Sequence, residues 1–538
     1  SYPQASSYIG AKILIDDEGN LEGIRLTNGV YAKTLSELHM FSSKNDCLLV
    51  FGGGDLDVLV KTLGEGVSRN LYEGYSQSSD YLQFHYTPSR LLSIWGKGKT
   101  VRINSIKFWF RQFGLERARE LVGLDPNPPL PEEHKVLTLW NHMLEASKAV
   151  WPVAKPAVVY GPSLVSKPTL DEGLYNVDTL SIPIEAQEMA YNCIHAPWVD
   201  VFVKGTMDRA WDYDLNSAYP FEMSRLPSLD YTGGTWTNSS SYMKSATYGF
   251  CLAVVEIFNH VDVSPIRLRF RYRLFSPTGT WVGYITKEEI DFIHSYKLGK
   301  VQVLNAWWFT VKRVFRPFRK ASLSYIAQRV RAKNEMNLPL SYVLKMSAAS
   351  VYGRFLQKKQ SLEGKWTTAG SFSPIYACLV MTSVKLKIAR LLMDNRSNVY
   401  SVTVDGVLVR DPISDKMLDK IPGGVKLAGV GQTTIAAPLI YSMEDRVSSL
   451  DLIEIIKSNR NSVRLELPAS RRVSLCEGLS RNSFDRIGQL SEEPYHLMIG
   501  SEGGRSWDRR PIVAEQLLDD SFSSKSIPVE QTVWKDWQ

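Results

Sequence analysis

The 538-residue chain holds few cysteines: Cys47, Cys193, Cys251, Cys378 and Cys476, with no Cys-x-x-Cys pair among them. A scattered, odd set argues against a disulfide scaffold and against a structural zinc site, and it suits a reducing compartment. Long apolar runs are missing too. The densest, Phe250 to Phe258, carries Glu256 and falls short of the ~18–20 residues of a membrane helix. No charged segment followed by an apolar one opens the chain, so secretion gains no support and an intracellular protein without a membrane partner is expected. There is no repeat period and no low-complexity tract. Charge of one sign does not dominate: 63 Lys and Arg stand against 56 Asp and Glu, a net +7. That balance permits a polyanion partner without requiring one. What is present is ordinary for a folded protein, 44% hydrophobic and 22% charged residues, which excludes intrinsic disorder. At ~150 residues per domain, about three or four domains or subdomains are expected. The opening Ser1-Tyr2-Pro3-Gln4 has no Met. Either a leader was removed or the numbering starts inside a longer product, so organelle import stays open.

Local patterning orders the chain. Tyr8–Ile15 and Leu21–Leu26 read as strands around a polar turn at Asp16–Asn20. A short helix is expected near Leu35–Phe41. A buried strand over Cys47–Phe51 then meets Gly52-Gly53-Gly54-Asp55 and a helix over Leu56–Leu63, an alternation that suggests an α/β layer. Residues 124–132 are a Pro-rich break before a helix marked by Val136, Leu139, Trp140, Met143 and Leu144. Residues 151–185, with five prolines, read as a linker. Arg267, Arg269, Arg271 and Arg273 alternate with apolar residues, so one strand would carry all four on one face. A solvated face is the common case; contact with phosphates is the functional one, and mutual repulsion of four like charges favours it modestly. Two helices are expected over 318–352, broken at Asn337-Leu338-Pro339, and a hairpin over Val399–Val409 turning at Asp405-Gly406. The last ~100 residues show fewer clear elements.

Three segments stand out for chemistry: Asp214-Leu-Asn-Ser-Ala-Tyr-Pro220, Lys345 to Gly353, and Tyr400 to Val407. Carboxylates on adjacent strand ends, Asp214 and Asp405, can hold hard Mg²⁺ ions. Two such ions activate a hydroxyl and stabilise a leaving pyrophosphate. On a helix, Lys345, Ala349 and Tyr352 share one face, where a Lys neutralises phosphate and an aromatic stacks near a base. Taken singly, each has a plainer reading: a hairpin turn for Asp405-Gly406, a cap for Asp214, a solvated side chain for Lys345. Taken together, in this order, they describe nucleotidyl transfer.

The three segments resemble motifs A, B and C of family B DNA polymerases, most closely the protein-primed branch of linear-genome phages, viruses and plasmids. Asp214 to Pro220 resembles D-x-x-S-L-Y-P. Lys345 to Gly353 resembles K-x-x-x-N-S-x-Y-G, with Ala349 where Asn is usual. Thr403-Val-Asp-Gly406 resembles D-T-D-S and keeps the second Asp. The resemblance implies a multidomain α/β and α+β fold: an RNase H-like N-terminal domain followed by a right-hand polymerase of palm, fingers and thumb. The expected division is 1–185 exonuclease-like and inactive, 186–317 palm with an inserted subdomain, 318–353 fingers, 354–445 palm with a short insertion near 354–370, and 446–538 thumb and tail.

The same resemblance implies roles. Asp214 and Asp405 would be the metal ligands, with the backbone carbonyl of Leu215, for two Mg²⁺ ions that Mn²⁺ can replace. Tyr219 would be the steric gate against a ribose 2′-hydroxyl. Lys333 and Lys345 would hold the incoming triphosphate, and Tyr352 would line the nascent base pair. Tyr441 survives from a Lys-x-Tyr motif that grips the primer terminus, while Leu439 stands where its Lys would be. Arg267, Arg269 and Arg271 are the candidate phosphate contacts. Tyr191-Asn-Cys-Ile194 replaces the family's Tyr-x-Gly-Gly/Ala linker. In the exonuclease-like part, Asp57 sits where the second editing motif has its Asp. The third motif falls on Val136 to Trp140, so its acid is a tryptophan. Asp16-x-Glu18 has the letters of the first motif but reads as the hairpin turn. The expectation is a DNA-templated, non-proofreading polymerase of a viral or mobile genome. Its partners would be primer-template DNA, dNTPs and, where priming is by protein, a terminal protein or other replication factor. Two alternatives stay open: an inactive polymerase-fold scaffold that binds nucleic acid, and an RNA-synthesising or RNA-templated enzyme.

Overall fold

The computed structural model describes residues 3–79, 81–110, 113–151, 155–158, 162, 167–195, 197–270, 273–360, 365–414, 418–419, 421–443, 463–467, 471–491, 495–499, 505–507, 523–528 and 530–531. It forms two compact units. The first gathers Ser1–Pro168, Ala327–Gly370 and Leu467–Tyr495; the second gathers Thr169–Ile326, Ser371–Glu466 and His496–Gln538. No described helix is long and apolar enough to cross a membrane.

The first unit opens with β1 (Tyr8–Ile15) and β2 (Leu21–Leu26). The turn between them forms as expected. Asp16 accepts from the Asn20 amide at 2.7 Å, and Gly19 takes φ +81°, a region glycine enters without steric cost. β3 (Tyr31–Ala32) and the helix Leu35–Phe41 follow, the helix capped by Thr34 on the Glu37 amide. Then come β4 (Cys47–Val50), helices Gly53–Lys61 and Glu65–Glu73, and β5 (Gln77–Ser79), β6 (Leu82–Thr87), β7 (Leu91–Gly96) and β8 (Lys99–Ser105). One sheet takes the order β3-β2-β1-β4-β8-β7-β6-β5. Its middle strand β4 runs parallel to both β1 and β8. A central parallel strand is covered on both faces, and all four residues of β4 are buried.

The period of two sorts β4 onto two cores. Leu48 and Val50 join Ile13, Leu26, Leu56 and Phe84 on one face. Cys47 and Leu49 join Trp109, Trp140, Met143 and Val343 on the other. The second face is covered by helices Glu132–Ser147 and Leu338–Gly353. The first face also receives Leu475, Leu479 and Ile487 from far along the chain. Residues 467–495 therefore belong to this unit, which departs from a thumb running unbroken over 446–538. The expected linker over 151–185 also departs: it contains helix Lys167–Tyr175 and a 3₁₀ turn at Thr179–Ser181. The boundary between the units falls inside it, at Pro168/Thr169. Its prolines misled because one sits in the first turn of that helix, where no amide is needed.

In the second unit, β9 (Val199–Val201) and β10 (Val203–Leu215) come first, then β11 (Gly234–Ser239), β12 (Tyr248–Ile257), β13 (Leu268–Phe270), β14 (Arg273–Phe275), β15 (Thr278–Thr286) and β16 (Gly299–Val311). The hairpin β17 (Lys358–Gln360) and β18 (Trp366–Thr368) lies where the short insertion was expected and belongs to the first unit. β19 (Val399–Thr403), β20 (Gly406–Val409), β21 (Val425–Ala437) and β22 (Ile440–Met443) complete the set needed here. One sheet orders β22-β21-β10-β20-β19-β9; another orders β11-β16-β12-β15. Helix Pro374–Met393 is buried on almost every side, as a helix apolar all round should be. The helix Lys287–Ser295 is closed by a capping box of Thr286 and Glu289. Glu289 is also paired with Lys385 of the long helix, and both are buried. His195 is buried beside them, and burial pushes its imidazole down to about 4.

The arginine-rich stretch departs from expectation. It is a two-stranded hairpin in which Arg269 pairs with Leu274 and Phe270 with Arg273, so there is no single face for four arginines. Arg267 is buried and donates to the Pro197 and Leu274 carbonyls. Arg269 donates to the Ile194 carbonyl at 2.7 Å. A guanidinium spent on buried carbonyls ties backbone together, which corrects Arg267 as a phosphate contact. Arg271 lies outside the described residues.

Candidate active site

The centre of interest lies at one end of β10. Along this strand Tyr213 is buried and Asp214 is partly exposed, as alternation requires. The Tyr213 hydroxyl accepts from the Ile413 amide at 3.1 Å and anchors the strand. On one side, Asp214 stands opposite Gly406 of β20. Asp405 precedes that glycine in the turn from β19 to β20. The Leu215 amide donates to the Asp405 carbonyl at 2.9 Å. The two acids are thus neighbours across one strand pair.

The turn that presents Asp405 is unusually tight. The Asp405 amide donates to the Thr403 carbonyl at 2.8 Å, and Val404 between them takes φ +69°. This is the hydrogen bond and φ of a γ-turn, a rare and strained form. Strain at a β-branched residue persists only where surroundings enforce it. Here the Val404 amide is held by the Trp198 carbonyl at 3.0 Å. Gly406 is required by close approach: a Cβ there would lie 2.8 Å from Thr403 Oγ1 and 2.9 Å from the Tyr213 carbonyl oxygen.

After Leu215 the chain is pinned to the Gly423-Gly424 turn. The Asn216 amide donates to Gly424 at 2.8 Å, and Gly423 donates back at 2.6 Å. Ser217 then takes φ +54° and starts helix Ala218–Arg225, which carries half-buried Tyr219 in its first turn. Tyr441 sits on β22, opposite Ile435 of β21, and Leu439 before it takes φ +63°.

On its other side Asp214 faces Lys426 of β21. Lys426 Nζ lies 2.9 Å from Asp214 Oδ2, both side chains about a third exposed (37% and 34%). Sequence reasoning missed this lysine. Its only signal is its place in a strand whose register with β10 no local pattern reveals. An ammonium there already shows that the carboxylate draws a cation. No group of three or more His, Cys, Asp or Glu is close enough to hold a metal among the described residues. The candidate donors are the carboxylates of Asp214 and Asp405 with the Leu215 carbonyl, all hard oxygens. That set fits Mg²⁺, which binds through one or two carboxylates and takes the rest from water and substrate phosphates.

Lys333, Lys345 and Tyr352 belong to the first unit. Lys345 and Ala349 are exposed and Tyr352 is half-buried, on the face of helix Leu338–Gly353 away from buried Val343, Leu344, Ser347 and Val351. Tyr342 fixes that helix, its hydroxyl on the Trp109 carbonyl at 2.8 Å and its ring stacked on Phe110. Lys333 is exposed near the end of helix Arg319–Asn334.

The editing-motif positions also lie in the first unit. Asp57 is buried with both oxygens occupied, one by the Tyr86 hydroxyl and one by the Leu475 amide at 3.0 Å. Burial raises its pKa. Trp140 is fully buried, edge-on to Tyr8 and Trp151. Where β1 meets helix Glu132–Ser147, Lys12 pairs with Glu132 at 2.5 Å and Arg25 with Glu133 at 2.7 Å. Gly10 lies so close that a Cβ would come 2.0 Å from the Glu133 carbonyl oxygen. Nearby Asp55 is pushed up to about 6 by burial.

Comparison with known proteins bears on this arrangement. Residues 198–367 match the family described as DNA polymerase type B, organellar and viral. A DNA polymerase of Acidianus bottle-shaped virus is 21% identical over 426 residues, which cover 77% of this chain and 61% of that protein. Among solved structures, Phi29 DNA polymerase in an orthorhombic crystal form matches with a TM-score of 0.59 at 11% identity, covering 81% of this chain and 86% of that one. Phi29 DNA polymerase complexed with primer-template DNA and incoming nucleotides matches with a TM-score of 0.58 at 11% identity, over 82% and 87%. The fold is a mixed α/β multidomain fold like that of Phi29 DNA polymerase. The family match takes in residues 198–367 of the 538, and the chain spans 61% of the length of the viral DNA polymerase it matches.

Proposed function

We propose that this chain is a template-directed DNA polymerase that adds dNTPs to a 3′-hydroxyl, or to a protein hydroxyl, without proofreading, in copying a viral or mobile genome. The observation that carries the reading is the meeting of Asp214 and Asp405 across β10 and β20, with the Leu215 carbonyl between them in sequence. Mg²⁺ bound there would lower the pKa of the attacking hydroxyl and neutralise the leaving pyrophosphate. The protein's own part is positioning. The γ-turn aims Asp405, Tyr213 anchors Asp214, and Lys426 balances the Asp214 charge until substrate and metal arrive. Tyr219 would exclude the ribose 2′-hydroxyl by bulk. Lys333 and Lys345 would take the triphosphate, Tyr352 the base pair and Tyr441 the primer end.

The order β3-β2-β1-β4-β8, with β1, β4 and β8 parallel, supports an RNase H-like reading of the N-terminal part. Three features support the absence of editing there. Asp57 is buried and commits each of its oxygens to a protein hydrogen bond, from Tyr86 and from Leu475. Trp140 fills the place of an acid. Lys12 and Arg25 neutralise Glu132 and Glu133 with built-in cations, leaving nothing for divalent ions to do.

The test is extension of a labelled DNA primer with Mg²⁺ and dNTPs, comparing the wild type with Asp405→Asn. Extension should fall on the order of 10²–10³-fold in the variant, the scale of losing a charge-stabilising group, while DNA binding stays. In parallel, a mismatched 3′ end should survive Mg²⁺ without dNTPs. Equal extension by the variant would remove the site assignment, and removal of the mismatch would overturn the non-proofreading claim. If neither protein extends yet both bind DNA, the inactive scaffold reading takes over unless a priming protein restores the wild type alone.

A further inference from the structure

A second feature of the second unit is independent of the carboxylate pair. A cavity of about 480 Å³ lies between helices Ala218–Arg225, Lys287–Ser295 and Pro374–Met393. Its volume is within the ~300–1,000 Å³ of small-ligand pockets. It opens two turns beyond Tyr219, at the far end of the helix that leaves the active site. Four cations line it: Arg225, Arg316, Lys387 and Arg390.

The acids that face them are Glu222 and Glu288. Glu222 is buried and shared loosely, 3.4 Å from Arg225 and 3.6 Å from Lys387. Arg316 donates only its Nε, to the Arg225 carbonyl at 3.1 Å, which leaves both terminal amino groups without a partner among the described residues. Arg390 is exposed, and its side chain has no hydrogen bond or ion pair among the described residues. Glu288 Oε2 is buried with no hydrogen-bond partner, and burial pushes its carboxyl up to about 8. At neutral pH it is mostly a neutral donor. The lining then keeps an excess of about three positive charges in a concave, partly desolvated site, where attraction to an anion exceeds its value in open water.

Planar guanidinium forks match phosphate oxygens in pairs. Tyr248, Leu226 and Leu386 add a less polar wall. We propose that this cavity binds a small phosphate-bearing anion of nucleoside-polyphosphate size, gripped by Arg225, Arg316, Lys387 and Arg390. Concavity favours a compact ligand over a long backbone.

Calorimetric titration of the full chain with inorganic tripolyphosphate, in EDTA, tests this. The chelator keeps divalent ions from the carboxylate pair. One saturable site is expected, with affinity falling at least tenfold in Arg390→Glu and unchanged in Lys345→Ala. Arg390 is exposed, so the variant should fold; equal melting temperatures without ligand check that, and Arg316→Gln serves as a second variant with the same expected loss. No saturable binding, equal affinity in both arginine variants, or loss in Lys345→Ala would each overturn the proposal. Two further arms separate the sources of phosphate. Displacement by dATP supports a free nucleotide, whereas displacement by a 12-nucleotide single strand alone, dependent on Arg390, would show a backbone site and end the small-anion assignment.

Discussion

At the scale of single residues, the carboxylate pair depends on a glycine and two positive φ angles. Gly406 lets β20 approach Tyr213 and Thr403 more closely than any side chain permits. Gly406→Ala should therefore push Asp405 away from Asp214. Overpacking of this kind costs roughly 1–3 kcal/mol, and primer extension should fall at least tenfold with DNA binding retained. Gly54→Ala is the control, since a Cβ there meets nothing; a similar loss in both would detach the effect from the site. Lys426 allows a finer experiment. An ion pair a third exposed is worth about 0.2–1 kcal/mol, so Lys426→Ala should lower the Mg²⁺ concentration for half-maximal extension about two- to fivefold. An unchanged or raised midpoint would mean that the lysine does not compete with the cation. Asp214 and Asp405 were legible because each sits in a short motif. Lys426 was not, because its role comes from register across a sheet.

At the scale of elements, what was local was legible. The first hairpin and helix Leu35–Phe41 fall where the alternation and turn residues put them, because a turn with Gly19 and a Thr34 cap needs no distant partner. The arginine stretch failed for the converse reason. A period of two cannot reveal that the strand folds back on itself, and it cannot tell a solvated guanidinium from Arg267, which serves buried carbonyls. The long helix Pro374–Met393 shows the same limit. Its apolar residues account for its burial, but no pattern near Lys385 points to Glu289, 96 residues earlier. Breaking that pair should be costly. Glu289→Ala leaves an ammonium buried alone and should destabilise by about 3–5 kcal/mol, whereas Glu289→Met with Lys385→Met should cost much less. Urea midpoints of the two proteins decide it; equal losses would mean that the pair's charges are not the issue.

Across the whole molecule, stability should carry the mark of His195. Its ordinary value near 6.5 drops to about 4 in the folded protein. Between those values the unfolded chain binds the extra proton, so stability falls as pH falls. From pH 7 to pH 5 the loss from this group is about 2 kcal/mol. Glu288 and Asp55, both raised by burial, act in the opposite sense over part of that range. The comparison is therefore with His195→Gln, which should lose about 2 kcal/mol less between the two pH values; parallel curves would dismiss the imidazole. The first unit has a further property that concerns time rather than energy. Its core is completed by Val343, Leu475, Leu479 and Ile487, which the ribosome makes long after Pro168. At ~5–20 residues per second, on the order of half a minute separates the first strands from the last residues that cover them. During synthesis, β1 to β8 therefore wait with both faces incompletely covered. A fragment ended at residue 168 would wait for good, and would be expected to be recovered with chaperones rather than as a free domain.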